Sequence, residues 1–449
     1  MSNEIILRLQ ESLRTSTISY VDRLRINFIP FAELHRILRK NYPHVFDIAK
    51  CTVIAEYSLI LQIKSDAPKG LPIALMGHID VVPVVEENWK YPPFGAEEHD
   101  GFIYARGALD MKSQVCAMFE AMEALLNKGV SFDRDVYLLI GHNEETGSLA
   151  PDSGARLCME HLKSKGITFD YVLDEGGAFA DGRSMGIDSH IALVGIAEKG
   201  YMDVMLSVQQ KGGHASMPPA VSALNQVCAA AVKLENDKFP ASFTPASAAM
   251  FDALAEHMKQ PLNFLFKHRT LFAPLLLGQL KAQPMTAALI RTTCVMTQAQ
   301  GSKAPNVLPQ RASVILNLRI AENESITSTV DRIKQIVGSE INVDVLSATE
   351  PTPASPIDNE AYKMIRDSIL ETFPILNVVA PYPVVAATDS RVYQGMAQGV
   401  YRFVPFHSLI EDLGTIHADN ERINIESYML GIKFFETLLM KVRKSSPQG

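Results

Sequence analysis

Cysteine is sparse in this chain: five in 449 residues, widely scattered and with no CxxC pair. That excludes a disulfide framework and reads as reduced thiols filling a core. No run of about 18 apolar residues occurs, so no segment is expected to cross a membrane. The best candidate, LFAPLLLGQL starting at Leu271, is short, broken by Pro274 and Gly278, and preceded by Lys267, His268 and Arg269. The opening MSNEIILRLQ lacks the basic and apolar regions of a signal peptide. Positive charge is not in excess either. Lys+Arg of 42 against Asp+Glu of 50 leaves −8, which argues against non-specific nucleic-acid binding. Repeats and low-complexity tracts are missing too. The expectation is a soluble, cytoplasmic protein with neither a nucleic acid nor a membrane as partner.

With 47% hydrophobic residues, the chain can fill a substantial core, and its length favours two or three domains. After a helical N-terminal stretch, strand and helix signals alternate. Apolar LPIALMGHIDVV from Leu71 reads as a buried strand with a polar end. A helix over 110–128 follows, with Met111, Val115, Met118, Met122 and Leu125 near the helical period and Gly129 as its stop. Next come a strand at DVYLLIGHNEET, a helix over 152–165, and a strand at FDYVLDEGG. This alternation predicts a mostly parallel sheet flanked by helices, an α/β unit.

Strict alternation over 201–209 and 312–320 then predicts half-buried strands, with helices over 220–237 and 325–337. That is a separate α+β unit, spanning 193–353. A Met-, Leu- and Ala-rich stretch over 239–296, punctuated by proline, reads as a helical insertion in it. PTPASP after Glu350 reads as a linker, and the chain ends in a helix over 424–441.

Polar clusters sit where the strands of the first unit end, the usual place for a ligand in an open α/β sheet. They are GHIDVV (His78, Asp80), ARGALDMK (Asp110), GHNEETGS (Glu144, Glu145) and LDEGG (Asp174, Glu175), with GTIHADNERI (His417) far downstream. Imidazoles and carboxylates without thiolates suit zinc, with Co²⁺ or Mn²⁺ as substitutes. In His-x-Asp on a strand both side chains share a face, so Asp80 can orient His78. The neighbours in Glu-Glu diverge, so one can bind metal while the other acts as general base. A single Asp between two cations can bridge them. Alone, each signal is usually structural, and His99, His142, His161 and His190 are read that way. Their coincidence at successive strand ends carries the metal reading, because so many buried carboxylates would cost several kcal/mol per ion without cations.

The chain resembles the aminoacylase/carboxypeptidase S family of co-catalytic zinc metallopeptidases. GHIDVVP, W-x-x-x-P-F, DGFIYARGALDMK, NEETGS, LDEGG, GGHASMPP, APNVLP, NLRI, TDSRVY, YRFVPF and HADNERI recur in family order. DEGG, TDSR and YRFVPF point to the branch of carboxypeptidase S and N-fatty-acyl-amino-acid synthase/hydrolases. The resemblance implies two zinc ions: His78 and Asp174 on one, Glu145 and His417 on the other, and Asp110 bridging. It also implies Glu144 as general base, Asp80 as orienter, a cis Asp110–Met111 peptide, and His214 stabilising the oxyanion. Asn306, Arg319 and Arg391 are implied binders of the substrate carboxylate, although Asn306 and Arg319 read equally as lid packing.

The implied architecture is a discontinuous catalytic domain, 1–192 with 354–449, and a lid and dimerisation domain, 193–353, that makes a homodimer. The implied substrate is a peptide or N-acyl amino acid with a free carboxylate. Deacetylation of a biosynthetic intermediate, dipeptide cleavage, and an idle metal-binding scaffold stay open as alternatives. Departures from the family pattern are Asn143 for Asp, Ala105 for Gly, and Ala418-Asp419 for Gly; none removes an implied ligand.

Overall fold

The computed structural model of the chain describes residues 2–147, 150–407 and 410–444. It divides into two compact units: Met1–Ile196 with Ser355–Pro381 and Ala387–Gly449, and Ala197–Ala354 with Tyr382–Ala386. The stretch Tyr382–Ala386, expected in the catalytic segment, thus belongs with the second unit.

All but the last few residues of a nine-stranded sheet lie in the first unit. Its strands are β1 (Lys50–Ile54), β2 (Ser58–Ile63), β3 (Ile73–His78), β4 (Val136–Gly141), β5 (Phe169–Asp174), β6 (Ala178–Asp181), β7 (His190–Glu198), β8 (Leu376–Val384) and β9 (Ala397–Arg402). They run in the order β1-β2-β4-β3-β5-β9-β7-β8, with β6 on β7. The β4-β3-β5-β9 centre is parallel, and β1 and β2 extend it antiparallel. IALMGH of β3 and VYLLIG of β4 are buried at every position, as expected of parallel strands covered on both faces. The helix Lys112–Asn127 packs closely on β3. A Cβ at Gly77 would sit 2.8 Å from Val115 Cγ2 and 2.9 Å from Met111 Cε, so only glycine fits beside His78. Gly154–Ser164 is the second predicted helix of this unit, capped by Ser153.

A smaller antiparallel sheet joins Glu97–His99, Phe102–Tyr104 and Arg422–Asn424. Pairing Arg422 with Tyr104 brings the loop of His417 beside the loop of Asp110, across more than three hundred residues of chain.

The second unit contains a four-stranded antiparallel sheet in the order Thr293–Gln300, Arg311–Ile320, Gly200–Gln209, Asn342–Thr349. Met202, Val204, Leu206 and Val208 point into a core shared with the helices Ala223–Asn236 and Ile326–Val337. Each such side chain contributes about 1.5–3 kcal/mol on burial. The insertion forms the helices Pro245–Ala255, Leu262–Lys267, Arg269–Leu280 and Pro284–Ile290. It ends earlier than expected: from Thr293 the chain is a strand paired with Arg311–Ile320, because pairing across the sheet overrides local composition.

Candidate metal centre

Strand ends place the functional side chains. His78 closes β3, the turn Glu144–Thr146 follows β4, and Glu175 follows β5. Asp110 precedes the helix Lys112–Asn127 through a cis Asp110–Met111 peptide. His417 has a backbone φ of +59°, unusual for a residue other than glycine and found where the surroundings enforce it.

Asp110 lies between two imidazoles and gives one oxygen to each. Its Oδ1 is 3.1 Å from His78 Nε2 and its Oδ2 is 2.9 Å from His417 Nε2. Glu175 Oε1 adds a second carboxylate to His78 Nε2, at 3.3 Å. Glu145 Oε2 adds one to His417 Nε2, at 3.0 Å. Two triads result, His78–Asp110–Glu175 and Asp110–Glu145–His417, each with donor atoms close enough to hold one ion.

The ligand expected from LDEGG was Asp174, whereas the residue the structure sets beside His78 is Glu175. Asp174 is the last residue of the β5 ladder, and its backbone oxygen accepts from Phe403 N at 2.8 Å. Its carboxylate accepts from Ser390 N at 3.0 Å and lies under the charge of Arg402. Glu175, one residue beyond the ladder, is free to turn toward His78.

Asp80 does more than orient one ring. It is fully buried, with Oδ1 3.3 Å from His78 Nδ1. Its carboxylate also accepts from the backbone N–H groups of Glu144 and Glu145 at 3.0 and 3.1 Å, and from Ser19 Oγ at 2.6 Å. One carboxylate therefore sets His78 and the Glu-Glu turn together. With Nδ1 turned to Asp80, the Nε2 lone pair of His78 faces carboxylates.

Glu421 plays the matching part for the other triad. Also fully buried, it accepts from Leu109 N at 2.7 Å, Asp110 N at 3.1 Å, Gly107 N at 3.2 Å and Arg106 Nη1 at 2.6 Å. Arg106 Nη2 in turn donates to Ala418 O at 2.9 Å, beside His417. Sequence reasoning named Glu175 in the LDEGG cluster but gave the ligand role to Asp174, and it missed Glu421, Arg106 and Ser19. The available signal for Glu421 was a carboxylate four residues after a candidate ligand.

The charges demand a cation. Burial and the Asp110 charge push Glu175 up to about 8. Burial, with Glu175, Asp389 and Glu145 outweighing His78, holds Glu144 well above the usual carboxylate range. Burial pushes His78 down, but the charge of Glu175 and hydrogen bonds to Asp110, Asp80 and Glu175 hold it well above its ordinary value. Hydrogen bonds to Asp110 and Glu145 raise His417 to about 10. Protons thus do work that divalent ions would do better. Glu145 Oε1 is buried with no hydrogen-bond partner, an acceptor waiting for a ligand bond. This donor set fits a pair of divalent cations.

Arg391 is buried in the turn Asp389–Tyr393 of the first unit. His214 and Asn306 meet in the second unit: Ala215 N donates to Asn306 O at 3.0 Å, and His214 Nδ1 pairs with Ser216 Oγ at 2.7 Å. The Arg319 guanidinium lies over the Tyr201 ring at 4.9 Å, which fits lid packing.

Fold and donor set define a metal-dependent hydrolase of the peptidase and amidohydrolase class. The chain belongs to peptidase family M20/M25/M40, whose model matches residues 74–441. It is 33% identical to the human N-fatty-acyl-amino acid synthase/hydrolase PM20D1 over 96% of this chain and 86% of that protein. It is 32% identical to the probable carboxypeptidase S-like 2 of Dictyostelium discoideum, over 98% of this chain and 85% of that one. Among solved structures, an M20 family metallo-carboxypeptidase from Sulfolobus solfataricus shares the fold with a TM-score of 0.69 at 19% identity. That match covers 97% of this chain and 98% of that one.

Proposed function

We propose that this chain is a cytoplasmic, two-zinc amidohydrolase that cleaves the amide bond of N-acyl amino acids or peptides bearing a free carboxylate. The observation that carries the reading is Asp110, with one oxygen at each of two imidazoles and a further carboxylate beside each imidazole. His78, Asp110 and Glu175 would hold one ion, and Asp110, Glu145 and His417 the other; Co²⁺ or Mn²⁺ can substitute. Bound there, the cations supply Lewis acidity that polarises the scissile carbonyl and acidifies the attacking water.

Glu144 is the general base. Its carboxyl, held above the usual carboxylate range by burial and neighbouring carboxylates, would take a proton from the attacking water and return it to the departing amine. Its position is set through the backbone, since Glu144 N donates to Asp80 Oδ1. His214 is assigned to the oxyanion, and Asn306 and Arg391 to the substrate carboxylate, on the family resemblance. A homodimer through the second unit belongs to the proposal, supported by the exposed edge strands Thr293–Gln300 and Asn342–Thr349. The names of the relatives favour long-chain N-acyl amino acids as substrates.

The test is Glu144→Gln, assayed against dipeptides, N-acetyl and long-chain N-acyl amino acids. The variant should keep its metal and lose at least about two to three orders of magnitude in turnover. Near-normal turnover would sink the assignment.

A further inference from the structure

In a chain of net charge −8, residues 257–321 contain no Asp or Glu and eight Lys or Arg. This one-signed stretch includes most of the helical insertion of the second unit. Its helix Arg269–Leu280 is apolar nearly all round, a composition that belongs in a core, yet only Leu276 is buried. The outward positions, Thr270, Leu271, Pro274, Leu275, Gly278 and Gln279, recur at helical spacing and carry no charge. Leu271 is 77% exposed and Leu275 52%. Phe264 and Met285, on the flanking helices, are 50% and 80% exposed. Exposed Lys267 precedes the helix and exposed Lys281 follows it; Arg269 is held by Asp252 at 2.8 Å.

An uncharged outward face with exposed leucines and a lysine at either end offers apolar side chains to an acyl boundary and cations to anionic headgroups. We propose that the helix Arg269–Leu280 docks the protein on an anionic phospholipid bilayer, with Leu271 and Leu275 entering the acyl boundary and Lys267 and Lys281 meeting headgroup phosphates. The expected absence of a membrane partner rested on the lack of a spanning segment, which a helix lying on the surface does not need. A second copy of this chain is a poorer occupant. A two-fold contact through this face puts the same one-signed segment on both sides, with no carboxylate within it to answer the cations. The docking stands on charge and exposure alone. Its use, to place the enzyme where amphiphilic N-acyl substrates collect, rests on the proposed function.

The test is flotation of the full chain with vesicles of phosphatidylcholine alone or mixed with phosphatidylserine. The protein should float with the mixed vesicles only, and less so as salt rises. Lys267→Gln and Lys281→Gln should each weaken binding about fivefold. Leu271→Ser with Leu275→Ser should abolish binding and leave the thermal melt unchanged, since both side chains are exposed. Failure of the wild type to float with mixed vesicles overturns the proposal, as does undiminished flotation of the leucine variant. So does a leucine variant that sediments as a smaller species than the wild type, because the face would then be a contact between copies. Flotation needs no turnover, so it reads the docking even if no substrate is ever cleaved.

Discussion

Replacing Glu421 with glutamine changes one atom in a side chain that touches no substrate, and it should loosen both metal sites. Glu421 accepts four hydrogen bonds, three from the loop ending at Asp110 and one from Arg106, with no solvent exposure. A glutamine keeps one acceptor oxygen and presents an NH₂ group where the other oxygen met N–H donors. At least one donor is thus left facing a donor, and Arg106, only 3% exposed, keeps its charge without a counter-ion. Hydrogen bonds to a charged acceptor contribute about 1.5–3 kcal/mol each, and breaking a buried pair from one side costs about 3–5 kcal/mol. These contributions overlap, so the expected loss of stability is about 3–5 kcal/mol in the metal-free protein. The second effect is specific. Asp110 is shared by both triads and Arg106 braces the backbone beside His417, so affinity should fall about 10–100-fold for both ions. Chelator competition on stripped protein reads the affinities, and thermal unfolding of the same sample reads the stability. Glu97→Gln, at a half-exposed pair with His99, is the control and should change neither. If Glu421→Gln is destabilised yet binds both ions with wild-type affinity, Glu421 is a brace for the fold and the positioning argument fails.

Glu175→Gln should lose the ion at His78, whereas Asp174→Asn should keep two ions per chain and bind the first more weakly; metal content per chain separates the two, and the reverse result restores Asp174 as ligand. Metal binding should also release protons. At about pH 8 the metal-free protein keeps its imidazolium at His417, which titrates near 10, so zinc uptake should displace up to one proton from it. In the metal-free protein the raised His417 contributes stability that is complete below 6.5 and is lost as pH climbs through about 10. Melting temperatures of stripped protein should therefore decline across that window, and a rise there would contradict the assigned pairing.

Local signals carried the elements of the first unit. Uninterrupted apolar runs marked β3 and β4, and a helical period marked Lys112–Asn127. The same signals pointed to His78, Asp110 and Glu145, which lie at the ends of recognisable runs, while His417 follows no such run. What they could not carry was any outcome decided by a distant partner. Residue 293 looked like the tail of a helical insertion until the strand Arg311–Ile320 paired with it. Ser19 reaches Asp80 only because the N-terminal segment runs beside Val81, where Ser19 N donates to Val81 O at 3.1 Å.

The choice between Asp174 and Glu175 shows why such a decision lies outside the local sequence. Two acids side by side at a strand end diverge, so one of them must face the metal. Which one depends on where the ladder stops. Here β9 pairs with β5 as far as Arg402 with Asp174, and Phe403 N still bonds to Asp174 O. That pairing fixes the Asp174 backbone as strand, and its carboxylate goes to Ser390 N and the field of Arg402. Only past that bond is the chain free to turn, and Gly176, at a φ of +99°, makes the turn with Glu175 just before it. Which acid of LDEGG faces His78 is therefore set by the pairing of the YRFVPF strand, more than two hundred residues away.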